Sequence, residues 1–317
     1  MSVPDIVYKG HGTGNDFVIY ADPDGRYEPT AKEVRRVTDR HFGIGGDGLI
    51  RLAHPQDVTD LSPETVRTMQ RNGVKWFMDY RNADGSLAQM CGNGTRVSAL
   101  FAQMISLEST AVASQDFILG TRAGVKSIRE VADDPILGKS LFQVDMGPWK
   151  VGVHDRYAVT LPGAEGLGRG TFADLGNPHI VVVTQNRTSS PALLEQAKLS
   201  SLGDVADLDL TKTPMVEPIL EDGQNVEFLD VVMIDEASDH GMANMRVNER
   251  GVGETLSCGT GLCASAAVLR SLTGIDHWTL GVPGGKLRVD VETNRVLLTG
   301  AARIVARIKL GDGALQI

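Results

Sequence analysis

Two cysteines in this 317-residue chain stand in nearly the same setting: residues 91 to 96 read Cys-Gly-Asn-Gly-Thr-Arg and residues 258 to 263 read Cys-Gly-Thr-Gly-Leu-Cys. A cysteine takes up a proton only as its thiolate, and a free cysteine is only a few per cent ionised at neutral pH. The residues after each cysteine supply a remedy. Val97, Leu100, Phe101, Met104 and Ile105 recur at intervals of three and four, as Leu262, Ala266, Ala267, Leu269 and Leu272 roughly do, so each cysteine heads an apolar helix. At a helix N-terminus the unpartnered N–H groups carry about half a positive charge, which can lower a thiol pKa to roughly 3.5 to 7.5. Cys91 and Cys258 are both candidate bases.

A matched pair of such thiols suits inversion of a stereocentre. One thiolate removes a proton from one face of a carbon and a thiol delivers another to the opposite face, in either direction. The same helix ends can bind a carboxylate, and they stabilise the negative charge that develops on proton removal. This scheme calls on no cofactor and no metal. A free cysteine is more often a small buried hydrophobe, and that reading holds for Cys263, inside the helix and away from its donors. The Gly-x-Gly after Cys91 and Cys258 argues otherwise for them, because it lets a ligand approach the backbone closely.

The elements that must position these residues repeat. Gly14-Asn15-Asp16-Phe17-Val18, in a glycine-rich break within a β-rich stretch, matches Gly176-Asn177-Pro178-His179-Ile180 at an offset of 162 (177 − 15). Cys91 matches Cys258 at 167 (258 − 91), and Ala123-Gly124-Val125-Lys126 matches Gly284-Gly285-Lys286-Leu287 near 161 (285 − 124). Three anchors in order point to a duplicated α/β domain, each copy a mixed sheet or barrel around one apolar helix, with the active site in the cleft between the copies. The expected boundaries are 1–145 with a returning strand in 301–317, and 146–300. Thr30 with Glu33 predicts a capped helix to residue 40, and residues 63 to 71 a shorter one. Residues 74 to 80 read as a strand, and short β-like pieces run from 111 to 144. Gly43-Ile44-Gly45-Gly46-Asp47-Gly48 has dinucleotide-loop spacing, but a helix precedes it and a strand-like run comes after, the reverse of what pyrophosphate binding needs.

Composition narrows the partners. A formal charge of −9 and a pI near 5.3 disfavour nucleic acid and anionic membranes, leaving small molecules. No apolar run is long enough to span a bilayer, and the N-terminus lacks a signal-peptide pattern, so a cytosolic protein is expected. Three cysteines without Cys-x-x-Cys make a poor disulfide or zinc framework, and reduced thiols are expected.

The ordered set of segments resembles the diaminopimelate epimerase family nearly end to end. It comprises Gly-x-Gly-Asn-Asp-Phe at 12–17, Arg-Asn-Ala-Asp-Gly-Ser at 81–86, Cys-Gly-Asn-Gly at 91–94, Gly-Asn-Pro-His at 176–179, Glu-Arg-Gly-x-Gly-Glu-Thr at 249–255 and Cys-Gly-Thr-Gly at 258–261. The resemblance implies a pyridoxal-phosphate-independent epimerase of LL- and meso-diaminopimelate, serving lysine and peptidoglycan synthesis, with two similar α/β domains and a homodimeric assembly. It implies Cys91 and Cys258 as the catalytic pair, with His179 assisting. Asn15, Asn82, Asn177 and Asn225 would bind substrate, with Glu249 taking an ammonium, Arg250 a carboxylate, and Gly92-Asn93 and Gly259-Thr260 offering backbone donors. Many members carry glutamine where this chain has Gly48, and Asp47 is the candidate replacement.

Three rivals remain distinguishable. A thiol redox enzyme would cycle Cys91 and Cys258 through a disulfide, against their long spacing. A nucleotide-dependent oxidoreductase rests on the Gly43 loop alone. A proline-racemase-like activity differs only in substrate.

Overall fold

A computed structural model describes residues 2–105, 116–186 and 200–311. The start of the β-like run expected from residue 111 and the tail beyond 311 lie outside the described residues. The chain divides into two compact units, Met1–Val144 with Gly300–Ile317, and Asp145–Thr299. The fold is mixed α/β, and the same arrangement occurs in both units.

In the first unit, β1 (Ile6–Gly12), β2 (Asn15–Asp22), β3 (Gly48–Ala53), β4 (Trp76–Asn82), β5 (Phe117–Thr121) and β6 (Gly124–Val131) run with helices α1 (Ala31–Thr38), α2 (Pro63–Arg71) and α3 (Gly92–Met104). β7 (Leu141–Gly147) begins in this unit and runs on past its end at Val144. Thr30 and Glu33 form the expected capping box on α1. That helix precedes the Gly43 loop and β3 comes after it, as the sequence context requires. β2 pairs parallel with β3, placing Phe17 beside Gly48, and β3 pairs antiparallel with β4, placing Gly48 beside Asn82. α3 has two glycines in its first turn, a poor start on propensity alone. Packing overrides that, since nearly every residue from Gly92 to Ala102 is buried, with β1 and β2 against the helix. Beneath β3 and β4 the fully buried Arg51 meets Asp22 at 2.8 Å, and Asp79 takes Arg81 and Arg122 at 3.1 and 2.7 Å.

In the second unit come β8 (Lys150–Val151), β9 (Tyr157–Thr160), β10 (Gly168–Asp174), β11 (Pro178–Asn186), β12 (Met215–Glu217), β13 (Asn225–Asp235), β14 (His240–Glu249), β15 (Gly253–Thr255), α4 (Gly259–Thr273), β16 (His277–Val282), β17 (Gly285–Val291) and β18 (Val296–Ala301). β11 pairs parallel with β13, placing His179 beside Asn225, and β13 pairs antiparallel with β14, placing Val226 beside Asn248. α4 is also buried along its length, against β10, β11, β13 and β17. The last strand, β19 (Arg303–Lys309), pairs antiparallel with β1 and belongs to the first unit.

Register makes the repeat specific at the level of residues. β2, β3, β4 and α3 correspond to β11, β13, β14 and α4, so Asn15 corresponds to Asn177, Phe17 to His179, Gly48 to Asn225 and Ile50 to Glu227. Asn82, beside Gly48, corresponds to Glu249, next after Asn248.

Candidate active site: two helix ends capped by cysteine

Cys91 and Cys258 are the N-cap residues of α3 and α4. Each sulfur accepts a hydrogen bond from the backbone N–H three residues on, Gly94 and Gly261, at 3.4 Å in both cases. A cysteine replaces the usual Ser or Asp cap, so the sulfur itself receives an otherwise unpaired helix donor. The sequence places both thiols at helix starts, and the structure puts them in the capping position.

In the first unit the Cys91 thiol donates to Asn15 Oδ1 at 3.3 Å, and Asn93 Nδ2 reaches the same oxygen at 3.3 Å. Asn15 Nδ2 donates to Asp47 Oδ2 at 2.7 Å. The turn that delivers Asn15 runs through Thr13 and Gly14, both with positive φ (54° and 83°), a geometry for which glycine is suited. Behind Asn93 lies Arg96, fully buried, whose guanidinium donates to Asn93 Oδ1 at 2.7 Å and to Thr13 Oγ1 at 3.0 Å. Asn82 Nδ2 donates to Ser86 Oγ at 3.0 Å, within the turn that leads to the helix.

In the second unit Cys258 is buried, with Thr260 Oγ1 at 3.5 Å from its sulfur. Asn177 Nδ2 donates to Thr260 Oγ1 at 3.3 Å. Glu249, whose charge acts on the Cys258 sulfur, accepts from the Thr255 hydroxyl. Asn225 Nδ2 donates to the Pro178 carbonyl at 3.2 Å and its Oδ1 accepts from Arg250 N–H at 3.0 Å. The exposed Arg250 side chain reaches the Asp222 carbonyl at 2.5 Å. His179 and Glu227, neither exposed at all, meet at 2.7 Å through Nδ1 and Oε1.

Ionisation of Cys258 departs from the expectation of an easily formed thiolate. Burial pushes its thiol well above the ordinary range, and the negative charges of Glu249 and Glu227 add to this; hydrogen bonds from Thr260 and Gly261 offset only part of it. Helix-end donors are present, but desolvation and two carboxylates outweigh them. Burial also raises Glu249, with Glu227 in the same direction, against the hydrogen bond from Thr255. Cys258 and Glu249 are thus both biased toward their protonated forms, chiefly by burial.

Gly48 leaves no room for a glutamine side chain. A Cβ there would lie 2.4 Å from the Arg81 carbonyl oxygen and 2.5 Å from the Tyr80 ring. Asp47 does not substitute for it, because its carboxylate accepts from Asn15 Nδ2, from Asp16 N–H at 3.1 Å and from Arg40 at 2.8 Å. It braces Asn15 from behind. Glu227 and Arg96 are the functional neighbours that sequence reasoning missed. Glu227 has a legible signal, a lone charge in the apolar run Val226-Glu227-Phe228-Leu229.

Among the described residues no group of three or more His, Cys, Asp or Glu side chains is placed to hold a metal ion, and no helix is long and apolar enough to cross a membrane.

Comparison with known proteins adds to this geometry. The family model described as diaminopimelate epimerase matches residues 7–151 and 171–305. Diaminopimelate epimerase of Rhodococcus jostii is 39% identical over 310 residues, spanning 96% of each chain. That of Thermobifida fusca is 39% identical over 313 residues, 97% of this chain and 98% of the relative. Among solved structures, a PhzF-family phenazine biosynthesis protein of Bacillus anthracis superimposes with a TM-score of 0.60 at 13% identity, covering 96% of this chain and 97% of that one. A hydroxyproline epimerase of Agrobacterium vitis gives 0.59 at 14% identity, over 96% and 91%. At those identities the structural likeness is one of fold alone.

Proposed function

The chain belongs to the diaminopimelate epimerase family, and on that premise we propose that it interconverts LL- and meso-diaminopimelate without a cofactor, by a two-base mechanism using Cys91 and Cys258. The observation that carries the reading is the matched capping of both sulfurs by Gly94 and Gly261 amides at 3.4 Å. Each helix end can stabilise a sulfur anion or a substrate carboxylate. In the forward direction one thiolate takes the α-proton and the other thiol gives its proton to the opposite face; the reverse direction exchanges the roles. Catalysis in this scheme requires both sulfurs to address one α-carbon.

The side chains around each sulfur supply binding and orientation. Asn15, Asn82, Asn177 and Asn225 offer amides, Arg250 a guanidinium suited to a carboxylate, and Glu249 a partner for an ammonium. The N–H groups of Gly92, Asn93, Gly259 and Thr260 hold the reacting carboxylate, so that charge developing at the α-carbon spreads onto oxygens facing donors. His179 assists the thiols in moving protons. The family resemblance extends the reading to a cytosolic homodimer in lysine and peptidoglycan precursor synthesis.

Deuterium exchange tests it. Metal- and pyridoxal-phosphate-free protein, incubated with LL-diaminopimelate in D2O under reducing conditions, is expected to yield meso-diaminopimelate carrying α-deuterium. No exchange, or faster turnover of L-proline than of LL-diaminopimelate, overturns the assignment.

A further inference from the structure

We propose that Glu227 is a positioning residue of the second unit, fixing His179 through Nδ1 and placing its carboxyl group against the helix end that Cys258 caps; this rests on the two-thiol reading and deepens it. Glu227 is wholly buried on β13, an expensive place for a carboxyl group without a purpose-built partner. Its Oε1 takes His179 Nδ1 at 2.7 Å. A carboxylate acceptor there assigns the ring proton to Nδ1 and leaves Nε2 for proton exchange. Among the described residues Nε2 of His179 has no hydrogen-bond partner, and neither has Oε2 of Glu227.

The same carboxyl group is pressed against the helix that Cys258 heads. A Cβ on Gly261 would lie 2.5 Å from Glu227 Oε1, so glycine at this position makes room for the carboxylate. The charged groups acting on Cys258 are Glu249, at the end of β14, and Glu227, on β13, with Thr260 and Gly261 opposing them from α4. Two carboxylates beside a buried sulfur disfavour the thiolate. The first unit lacks this device: Phe17 and Ile50 take the register positions of His179 and Glu227, and the atom closest to a Cβ on Gly94 is Ile50 Cδ1, at 3.1 Å. The repeat is therefore symmetric in its sulfurs and asymmetric in what surrounds them. A sulfur resting as thiol is ready to act as the acid, giving its proton to carbon and keeping the electron pair of the S–H bond. To act as base it first passes that proton to a neighbouring carboxylate, for which Glu249 is the candidate.

The test tracks the Cβ resonances of ¹³C-labelled cysteine against pH in the full-length protein, which needs neither substrate nor reagent access. In the unaltered protein the Cys258 midpoint is expected above the free-thiol value of about 8.5. Glu227→Gln is expected to lower it, raising the thiolate fraction at a given alkaline pH by about tenfold for each pH unit by which the midpoint falls, while the Cys91 resonance is unmoved. The same variant should lose roughly tenfold or more in kcat with KM little changed, and Glu227→Asp should recover part of that. A Cys258 midpoint at or below the free-thiol value in the unaltered protein overturns the proposal. So does a Glu227→Gln protein with an unchanged Cys258 profile, or one in which Cys91 shifts equally. Absence of diaminopimelate turnover in the unaltered protein counts against the substrate assignment and leaves the thiol titration readable.

Discussion

Asn15 donates its amide Nδ2 to Asp47 Oδ2 at 2.7 Å, and that bond decides which end of the amide faces Cys91. With the nitrogen held by a carboxylate, the carbonyl oxygen is left for the Cys91 thiol and for Asn93. Arg96 fixes Asn93 in the same way, by occupying its oxygen. Orientation of the Cys91 surroundings is thus set by charged groups that need not touch substrate. Asp47→Ala is expected to free the Asn15 amide to rotate and to lower kcat/KM by about tenfold, the equivalent of one hydrogen bond to a charged group. Steady-state kinetics beside a thermal melt would check this; a loss of stability with kinetics intact would assign Asp47 to folding alone.

Gly48 gives the second prediction. Placing a glutamine here should not help, because its Cβ would press on the Arg81 carbonyl and the Tyr80 ring. Gly48→Gln is expected to cost about 2–3 kcal/mol of stability, as overpacking of a closed site does. Urea unfolding reads the cost, and a variant of unchanged stability with higher activity would show that the strand has room after all.

The repeat, both helix starts and the capped α1 are legible because each is written in local spacing: a cysteine, two glycines, then apolar residues at three and four. The correspondence of Phe17 with His179 and of Ile50 with Glu227 is not, since it depends on which strands pair and in what register. Nor is the raised thiol of Cys258, because the helix end is a local feature whereas burial and the approach of Glu227 are tertiary ones. Asp47 stands out in the sequence for its place beside Gly48, but its partner across the loop, Asn15, lies 32 residues away. Side chains that act through another side chain are the hardest to read from sequence.

Acid sensitivity arises from Asp16. Burial alone would raise its carboxyl, but hydrogen bonds from Arg40 at 2.7 Å and Lys9 at 2.5 Å outweigh this and hold it well below the usual range. A depressed carboxylate contributes stability that is present above its unfolded pKa of about 3.9 and lost as pH falls toward the folded value. Asp16→Asn is therefore expected to lower stability at pH 7 by about 1–3 kcal/mol. The gap should narrow as pH drops below about 4, and denaturant melts at neutral and acid pH that show a constant gap would contradict the account.

Removing either thiol tests the two-base scheme directly. Cys91→Ala and Cys258→Ala should each lose roughly 10²- to 10⁴-fold in epimerisation, since one face of the substrate then lacks its proton carrier. Both variants remove a helix cap as well, so circular dichroism must accompany the assay. Near-normal turnover in either folded variant would end the scheme.

The two glycines that cap the sulfurs should respond differently to alanine, although they hold the same position in their helices. A Cβ on Gly94 would meet Ile50 Cδ1 at 3.1 Å, the far end of a flexible side chain, and alanine in a helix gains up to about 1 kcal/mol over glycine. A Cβ on Gly261 would meet Glu227 Oε1 at 2.5 Å, and that oxygen is held by His179. Relief there requires the carboxyl group to leave the imidazole, stranding two buried polar groups. Gly94→Ala is therefore expected to stay within about 1 kcal/mol of the parent in stability, whereas Gly261→Ala should lose about 2 kcal/mol or more together with most of its activity. Paired unfolding curves and rates decide it, and equal responses at the two positions would mean that the Glu227 carboxyl group moves aside at little cost.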